Sequence, residues 1–197
     1  MSIKARSVTA NSTTVDQSGA SAGRDMAARD INHTYKNIAA NRVSAIEKLL
    51  QKLELEIERN QVARDTIDRL KRFYSQRSHD GVRGLRAKLS VSGREDSYSD
   101  AIEMKEMFVK LLERWSHYYS AQQIIVYLLA RAERQFNDII LPQISTCGVV
   151  EINKFMNELI VIPTVEDCGA SVLEVDHNTA MGMIYWLAEQ CFVRWHK

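Results

Sequence analysis

The chain contains neither glycine nor proline from Asn37 to Gln76, and this stretch restricts the fold more than any other feature. Within it, apolar side chains recur three and four residues apart, as along one face of an α-helix. We therefore predict one long N-terminal helix of about forty residues, or about 60 Å. Such a helix exceeds an ordinary globular one, so we predict that its seam binds a partner. The alternative, which we favour for the half from Ile67 to Tyr74, is packing on the protein's own core. The seam residues are Val43, Ile46, Leu50, Leu53 and Ile57.

Helical spacing continues over most of the remaining chain, so the predicted fold is mainly α, with a helical interaction domain at 36–197. Proline disfavours the helical conformation in the residue before it. We therefore expect one helix to end at or just before Leu141 and another to be stopped by Pro163. The terminal Cys191–Trp195 alternates apolar and polar residues, which is typical of a short strand. Trp186 and Trp195 are expected to anchor the terminal core. The helices are predicted at 85–89, from Ser97 or Ser99 through Trp115, at 124–141, at 150–162 and at 178–188.

A short repeat precedes the helical part. Ala22–Met26 and Ala27–Ile31 each read small, small, Arg, Asp, aliphatic. Repeats this short suit stacked turns of extended chain, so we predict a β-like oligomerisation segment at 15–35 behind a flexible tail at 1–14. The alternative is a disordered Ser/Gly/Ala-rich tail with a chance duplication. The residues expected to stack and pair between subunits are Arg24, Asp25, Met26, Arg29, Asp30 and Ile31.

Charge and cysteine content restrict the partners. The formal net charge is +1, which gives no reason to invoke nucleic acid or an anionic membrane as the main partner. A local basic patch remains a candidate nucleic-acid contact, although Asp80, Glu95 and Asp96 dilute its field. No apolar run is long enough for a membrane span or a signal peptide. Three cysteines, an odd number, predict free thiols and a cytoplasmic location. The patch consists of Arg83, Arg86, Lys88 and Arg94.

Catalytic motifs are missing from the sequence. It has no GxSxG, GxGxxG or Walker loop, and no His or Cys pair at metal-ligand spacing. Asp176-His177 is explained as a helix cap followed by a surface histidine. Only folding that joined Cys168, His177 and Cys191 could create a metal site. We therefore expect no enzyme activity, no cofactor and no metal. Glu54, Glu56 and Glu58 are interpreted as a solvated helix face.

Five segments carry a resemblance to a known family. They are Leu85–Leu89 (LRAKL), Ala121–Leu129 (AQQIIVYLL), Phe136–Pro142 (FNDIILP), Gly182–Leu187 (GMIYWL) and Cys191–Trp195 (CFVRW). From about Arg42 to its end the chain resembles the C-terminal domain of the bacterial ABC-three component systems. Relatives often carry His where this chain has Phe192, which argues against a His/Cys site shared by the family.

This resemblance implies an anti-phage conflict system that contains an SMC/Rad50-like ABC ATPase, a small middle component and a protein with this domain. In many relatives an effector precedes the domain, whereas this chain has only the short repeat. The resemblance therefore implies an adaptor that couples the ATPase to partner or effector proteins. The missing catalytic motifs and the stackable repeat lead us to expect that this adaptor is non-catalytic and self-associates. A DNA-binding sensor subunit, a metal-dependent enzyme and an inhibitor of a cognate effector are the alternatives.

Overall fold

The computed structural model describes residues 44–75, 77 and 81–196, and this part of the chain is helical without any strand. The predicted mainly α class is confirmed there, whereas the predicted strand at Cys191–Trp195 is wrong, since that segment is irregular. The predicted tail and repeat lie outside the described residues. No helix in the described ranges is long and apolar enough to cross a membrane. The helices are α1 (Ala45–Glu58), α2 (Asp68–Tyr74), α3 (Gly84–Val91), α4 (Tyr98–Trp115), α5 (Tyr119–Gln135), α6 (Val149–Met156) and α7 (His177–Glu189).

The prediction of one long N-terminal helix is wrong. Helix α1 begins after Ser44, whose side chain and backbone form a capping box with Glu47. The helix ends where Asn60 takes a positive φ of 49°, a conformation that asparagine tolerates better than most residues. An irregular segment, 59–67, then separates α1 from α2. The chain therefore turns back on its own domain at this point and does not project from it.

Segment 59–67 is fixed by hydrogen bonds to the corner between α4 and α5. The Ala63 amide donates to the carbonyl oxygen of His117 at 2.7 Å. Buried Gln122 accepts from the Ile67 amide at 2.7 Å and donates to the carbonyl oxygens of Ser116 and Asp65. Because both the oxygen and the nitrogen of this buried side-chain amide are hydrogen-bonded, segment 59–67 is held in one position. Partners more than fifty residues away therefore decide where the first helix stops.

Both prolines lie inside continuing helices, so the two predicted helix ends are wrong. A π-helical turn, Phe136–Ile140, leads from α5 into the α-helical turn Leu141–Gln143 that contains Pro142. A second π-helical turn, Asn157–Val161, leads from α6 into Ile162–Cys168, which contains Pro163. Proline lacks an N–H and its ring clashes with the carbonyl four residues before it. Widening the preceding turn to i→i+5 bonding moves that carbonyl away, and the helix axis continues.

Helix α7 is the centre of the core. It packs mainly against α4 and also contacts α3, α5 and the π-helical turn after α6. Gly182 permits the close approach to α4, since a Cβ there would lie 1.9 Å from the Met104 carbonyl oxygen. Trp186 and Trp195 are buried, as predicted, with 5 % and 3 % of their surfaces exposed. The last segment of the chain is thus built into the core.

Candidate functional site

Three of the segments that carry the family resemblance meet around a fourth, the C-terminal segment Cys191–Trp195. From Phe136–Pro142, the Asn137 side-chain amide donates to the Phe192 carbonyl oxygen at 3.1 Å. From Leu85–Leu89, Lys88 reaches the backbone of the C-terminal segment. Residues Gly182–Leu187 belong to α7, which leads into the segment. Segments distant in sequence therefore build one site.

Lys88 holds the C-terminal segment from inside the protein. Only 2 % of its surface is exposed, and its ammonium donates to the carbonyl oxygens of Ala188 at 2.5 Å and Val193 at 3.3 Å. Ala188 lies in the last turn of α7, where unpaired carbonyls carry partial negative charge. No carboxylate of the described residues forms an ion pair with Lys88. Among the described residues, the ammonium is therefore compensated only by backbone dipoles.

Phe192 packs among aromatic and cationic groups. Its ring centroid lies 4.9 Å from that of Phe73, and the guanidinium carbons of Arg72 and Arg77 lie 5.6 and 4.6 Å from it. Both arginines also donate to Glu133 on α5, at 2.9 and 3.2 Å. The Arg77 amide in turn donates to the Gln190 carbonyl oxygen. This packing fixes the Arg77 guanidinium beside the C-terminal segment.

Trp195 closes the other side of the segment. Its indole N–H contacts the Met156 sulfur at 3.3 Å, and its ring meets Phe136 edge-on at 5.7 Å. The Arg94 guanidinium stacks over the same indole at 5.8 Å and donates to Asn153. Burial lowers the pKa of Arg94 from its ordinary value. Arg94 therefore joins the loop after α3 to α6.

A cavity of about 440 Å³ lies beside the C-terminal segment Cys191–Trp195. Among the described residues around it are three cations and no carboxylate. Single-sign charge in a concave site concentrates the electric field there. The lining residues are Arg77, Lys88, Asn137, Leu141, Cys191, Phe192, Val193 and Arg194.

The predicted nucleic-acid patch is not one surface. Lys88 and Arg94 are buried, with 2 % and 8 % of their surfaces exposed, and both are used in packing. Arg83 and Arg86 are exposed, and the Arg86 guanidinium lies 5.4 Å from the Tyr98 ring. Lys88 and Arg94 therefore do not belong to an exposed surface on which the backbone of a nucleic acid could lie.

A larger groove of about 1390 Å³ lies on another part of the domain, among α1, α2 and α5. Leu49, Ile67 and Phe73 contribute apolar surface to it. Tyr119, Tyr127 and Ile139 also line it, and each exposes more than two fifths of its surface. Partly exposed aromatic side chains are enriched in protein–protein interfaces. The groove exists because the chain bends at 59–67 and lays α2 beside α5.

The charges around this groove are mainly positive. Five cations and two carboxylates, Asp68 and Asp138, line it among the described residues. Three of the cations are paired within the domain: Arg72 with Glu133, Arg131 with Asp167, and Arg134 with Asp138. Lys48 and Arg69 form no ion pair with any described residue. The groove therefore offers two exposed, uncompensated cations beside apolar surface.

The predicted partner-binding seam is used inside the domain. Ile46 and Leu53 are buried, with 2 % and 0 % of their surfaces exposed, while Leu50 and Ile57 are half-buried against the same core. Helix α1 packs against α5 and also contacts Ile162–Cys168, so these seam residues are used within the domain. The alternative interpretation, packing on the protein's own core, is the one the structure supports. Val43 lies outside the described residues, as do all six predicted oligomerisation residues, Arg24, Asp25, Met26, Arg29, Asp30 and Ile31.

Glu56, Asp176 and Cys168 are each accounted for by contacts within the fold. Glu56, expected on a solvated face, is buried and accepts from the backbone N–H and hydroxyl of Ser120 in the first turn of α5. Asp176 caps α7 by accepting from the Thr179 amide at 2.7 Å, which confirms the capping interpretation. That bond lowers its pKa below the ordinary value. Burial, and to a smaller extent the negative charge of Asp167, raises the pKa of the Cys168 thiol to about 11. The described part of the chain holds no cluster of three or more His, Cys, Asp or Glu residues placed to bind a metal.

Fold and site together define an all-helical domain closed by its own C-terminal segment. Residues 84–195 match C-terminal domain 9 of the ABC-three component (ABC-3C) systems, and the chain belongs to this family. The match covers more than half of the chain, but it begins after α1 and α2, whereas the resemblance was expected from about Arg42. No curated protein and no solved structure matches the chain. The chain is thus a component of an ABC-3C system.

Sequence reasoning missed the buried structural roles of Glu56, Gln122 and Lys88. Each is a buried polar residue that bonds to the backbone of a distant segment. The missed signal for Lys88 was its place in an apolar stripe, since Leu85, Lys88 and Leu89 share the buried face of α3. The groove had no sequence signal, because it depends on where the first helix ends.

Proposed function

We propose that the chain is a non-catalytic adaptor of an anti-phage ABC-3C system, coupling an SMC/Rad50-like ABC ATPase to partner or effector proteins. Family membership supports the association with such a system. The observation that carries the adaptor role is the groove among α1, α2 and α5, which is large, lined by exposed aromatic side chains and positively charged. Such a surface suits another protein, because aromatic anchors supply affinity and a charged rim supplies specificity.

The proposed occupant is an amphipathic helix of the ATPase with an acidic flank. Its apolar ridge would contact Tyr127 and Ile139, and its carboxylates would approach Lys48 and Arg69. Charge complementarity argues for this choice, since neither cation has a partner in the described part of the domain. Helix-in-groove binding is a recurring mode of recognition that uses both features.

Co-expression of the tagged full-length chain with the products of its neighbouring genes tests this proposal. The wild-type chain should recover the ATPase, and the double reversal Lys48→Glu with Arg69→Glu should abolish recovery. The matched control reverses Arg59 and Lys110, which are also exposed and unpaired among the described residues but lie outside the groove. Recovery of the ATPase by both double variants would show that the ATPase does not dock in the groove. Failure of a well-folded wild-type chain to recover an ATPase would refute the adaptor role.

Self-association through the N-terminal repeat is a further part of the proposal. Arg24 and Asp25 of one subunit would pair with Arg29 and Asp30 of a neighbour. Deletion of residues 1–35 should lower the oligomer mass measured by light scattering after size exclusion. An unchanged number of subunits would rule out this role of the repeat.

A further inference from the structure

The cavity beside the C-terminal segment is lined by a buried lysine, Lys88, that has no counter-ion among the described residues. The Lys88 ammonium donates to the neutral carbonyls of Ala188 and Val193, and Val193 lines the same cavity. An ammonium has three N–H donors, so one remains after these bonds. Buried charges are ordinarily paired, because removing an isolated ion from water costs several kcal/mol. The cavity therefore favours a negatively charged group near Lys88.

Two arginines add to this preference. Arg77 and Arg194 line the same cavity, and Arg77 pairs with Glu133, which also accepts from Arg72. Arg77 is held by that bond and by the Phe192 ring at 4.6 Å. A cation that is fixed before binding loses little side-chain entropy when a ligand arrives. The site is thus built in advance for an anion.

We propose that this cavity binds the phosphate group of a small phosphorylated molecule. Guanidinium groups match phosphate oxygens through two parallel N–H bonds, and an ammonium adds a point charge. The volume of about 440 Å³ falls within the size of small-molecule pockets, so it leaves space for more than the phosphate itself. The bound phosphate joins α3, through Lys88, to the C-terminal segment, through Arg194. This site is separate from the groove and does not depend on the adaptor proposal.

Titration of the full-length chain with inorganic phosphate, pyrophosphate and ATP tests the site, with sodium chloride at equal ionic strength as the reference. Isothermal calorimetry should show saturable binding of at least one phosphate compound, and the Tm should rise with its concentration. Arg77→Gln and Arg194→Gln should each weaken binding at least roughly tenfold. Arg86→Gln removes an exposed charge outside the cavity and should leave the affinity unchanged. Preference for ATP over inorganic phosphate would indicate a nucleotide as the source of the phosphate.

Cysteine protection supplies a second readout that does not need the arginine variants. Cys191 lines the cavity, whereas Cys147 is similarly half-buried but lies outside it. A bound phosphate compound should slow alkylation of Cys191 and leave that of Cys147 unchanged, as followed by peptide mass spectrometry.

Three results would overturn the proposal. They are the absence of saturable binding by all three compounds, equal affinity of wild type and both cavity arginine variants, and binding of a DNA duplex alone with a steep salt dependence. The Lys48→Glu, Arg69→Glu variant separates this outcome from the adaptor role. It should bind the phosphate compound as wild type does, whether or not it recovers the ATPase.

Discussion

Helix α7 passes α4 so closely at Gly182 that no side chain fits between them. A Cβ at this position would lie 1.9 Å from the Met104 carbonyl oxygen and 2.5 Å from its carbonyl carbon. Ordinary contact requires about 3.4 Å, so Gly182→Ala must separate the two backbones by roughly 1.5 Å. Because the clash is with main-chain atoms, no rotamer change relieves it.

The expected loss of stability follows from two opposing terms. Alanine in a helix interior gains about 1 kcal/mol over glycine. Overpacking a core costs about 1–3 kcal/mol, and a shift of two backbones lies at or above the upper end. We therefore expect Gly182→Ala to lower the free energy of unfolding by about 2 kcal/mol or more, which is roughly 4–8 °C in Tm.

Thermal and urea unfolding followed by circular dichroism measure this effect. Asn178→Ala, an exposed substitution on the same helix, should change stability by less than about 0.5 kcal/mol. Adding Met104→Ala to Gly182→Ala should not restore stability, because the Met104 side chain is not the obstacle. A Tm for Gly182→Ala equal to or above that of wild type would refute the close approach, and rescue by Met104→Ala would refute the backbone clash.

Three further predictions concern buried and capping side chains. Trp186→Ala should lower the free energy of unfolding by about 3–5 kcal/mol, and a near-wild-type Tm would mean that the ring does not anchor the core. Asp176→Ala should cost about 1 kcal/mol at neutral pH. Because the hydrogen bond from Thr179 lowers the Asp176 pKa below 3.8, this difference should persist above that pH and vanish as pH falls through the folded-state pKa; a constant difference in urea unfolding across this range would contradict the cap. Cys168, with its pKa raised to about 11, should be alkylated far more slowly than Cys147 at pH 8, and equal rates in the folded protein would show that its thiol is not buried.

Helix positions could be predicted from the sequence because apolar spacing records which face of a helix is buried. The break after α1 could not, although the polar residues Asn60 and Arg64 interrupt the seam there. The break depends on Gln122 and on the carbonyl of His117, which bond to the loop from a distant corner. The turns at Pro142 were missed for a related reason, since a π-helical turn lets a helix continue past a residue that ordinarily ends it.

The candidate sites were less accessible from sequence than the helices. Lys88 and Arg94 look like surface cations in a linear reading, because lysine and arginine are rarely buried. Their partners are mostly carbonyl oxygens and aromatic rings, which leave no charge pattern in the sequence. Family resemblance nevertheless identified the right segments, since three of them contribute residues to the C-terminal cavity.

Site-specific photo-cross-linking tests the adaptor account most directly. A photoreactive amino acid would replace Tyr127, which lines the groove, or Val150, which is 80 % exposed and lies outside it. In cells that co-express the neighbouring genes, the account predicts a cross-link to the ABC ATPase from position 127 and none from position 150. Cross-linking from position 150 alone, or from neither position with a folded chain, would contradict docking through the groove.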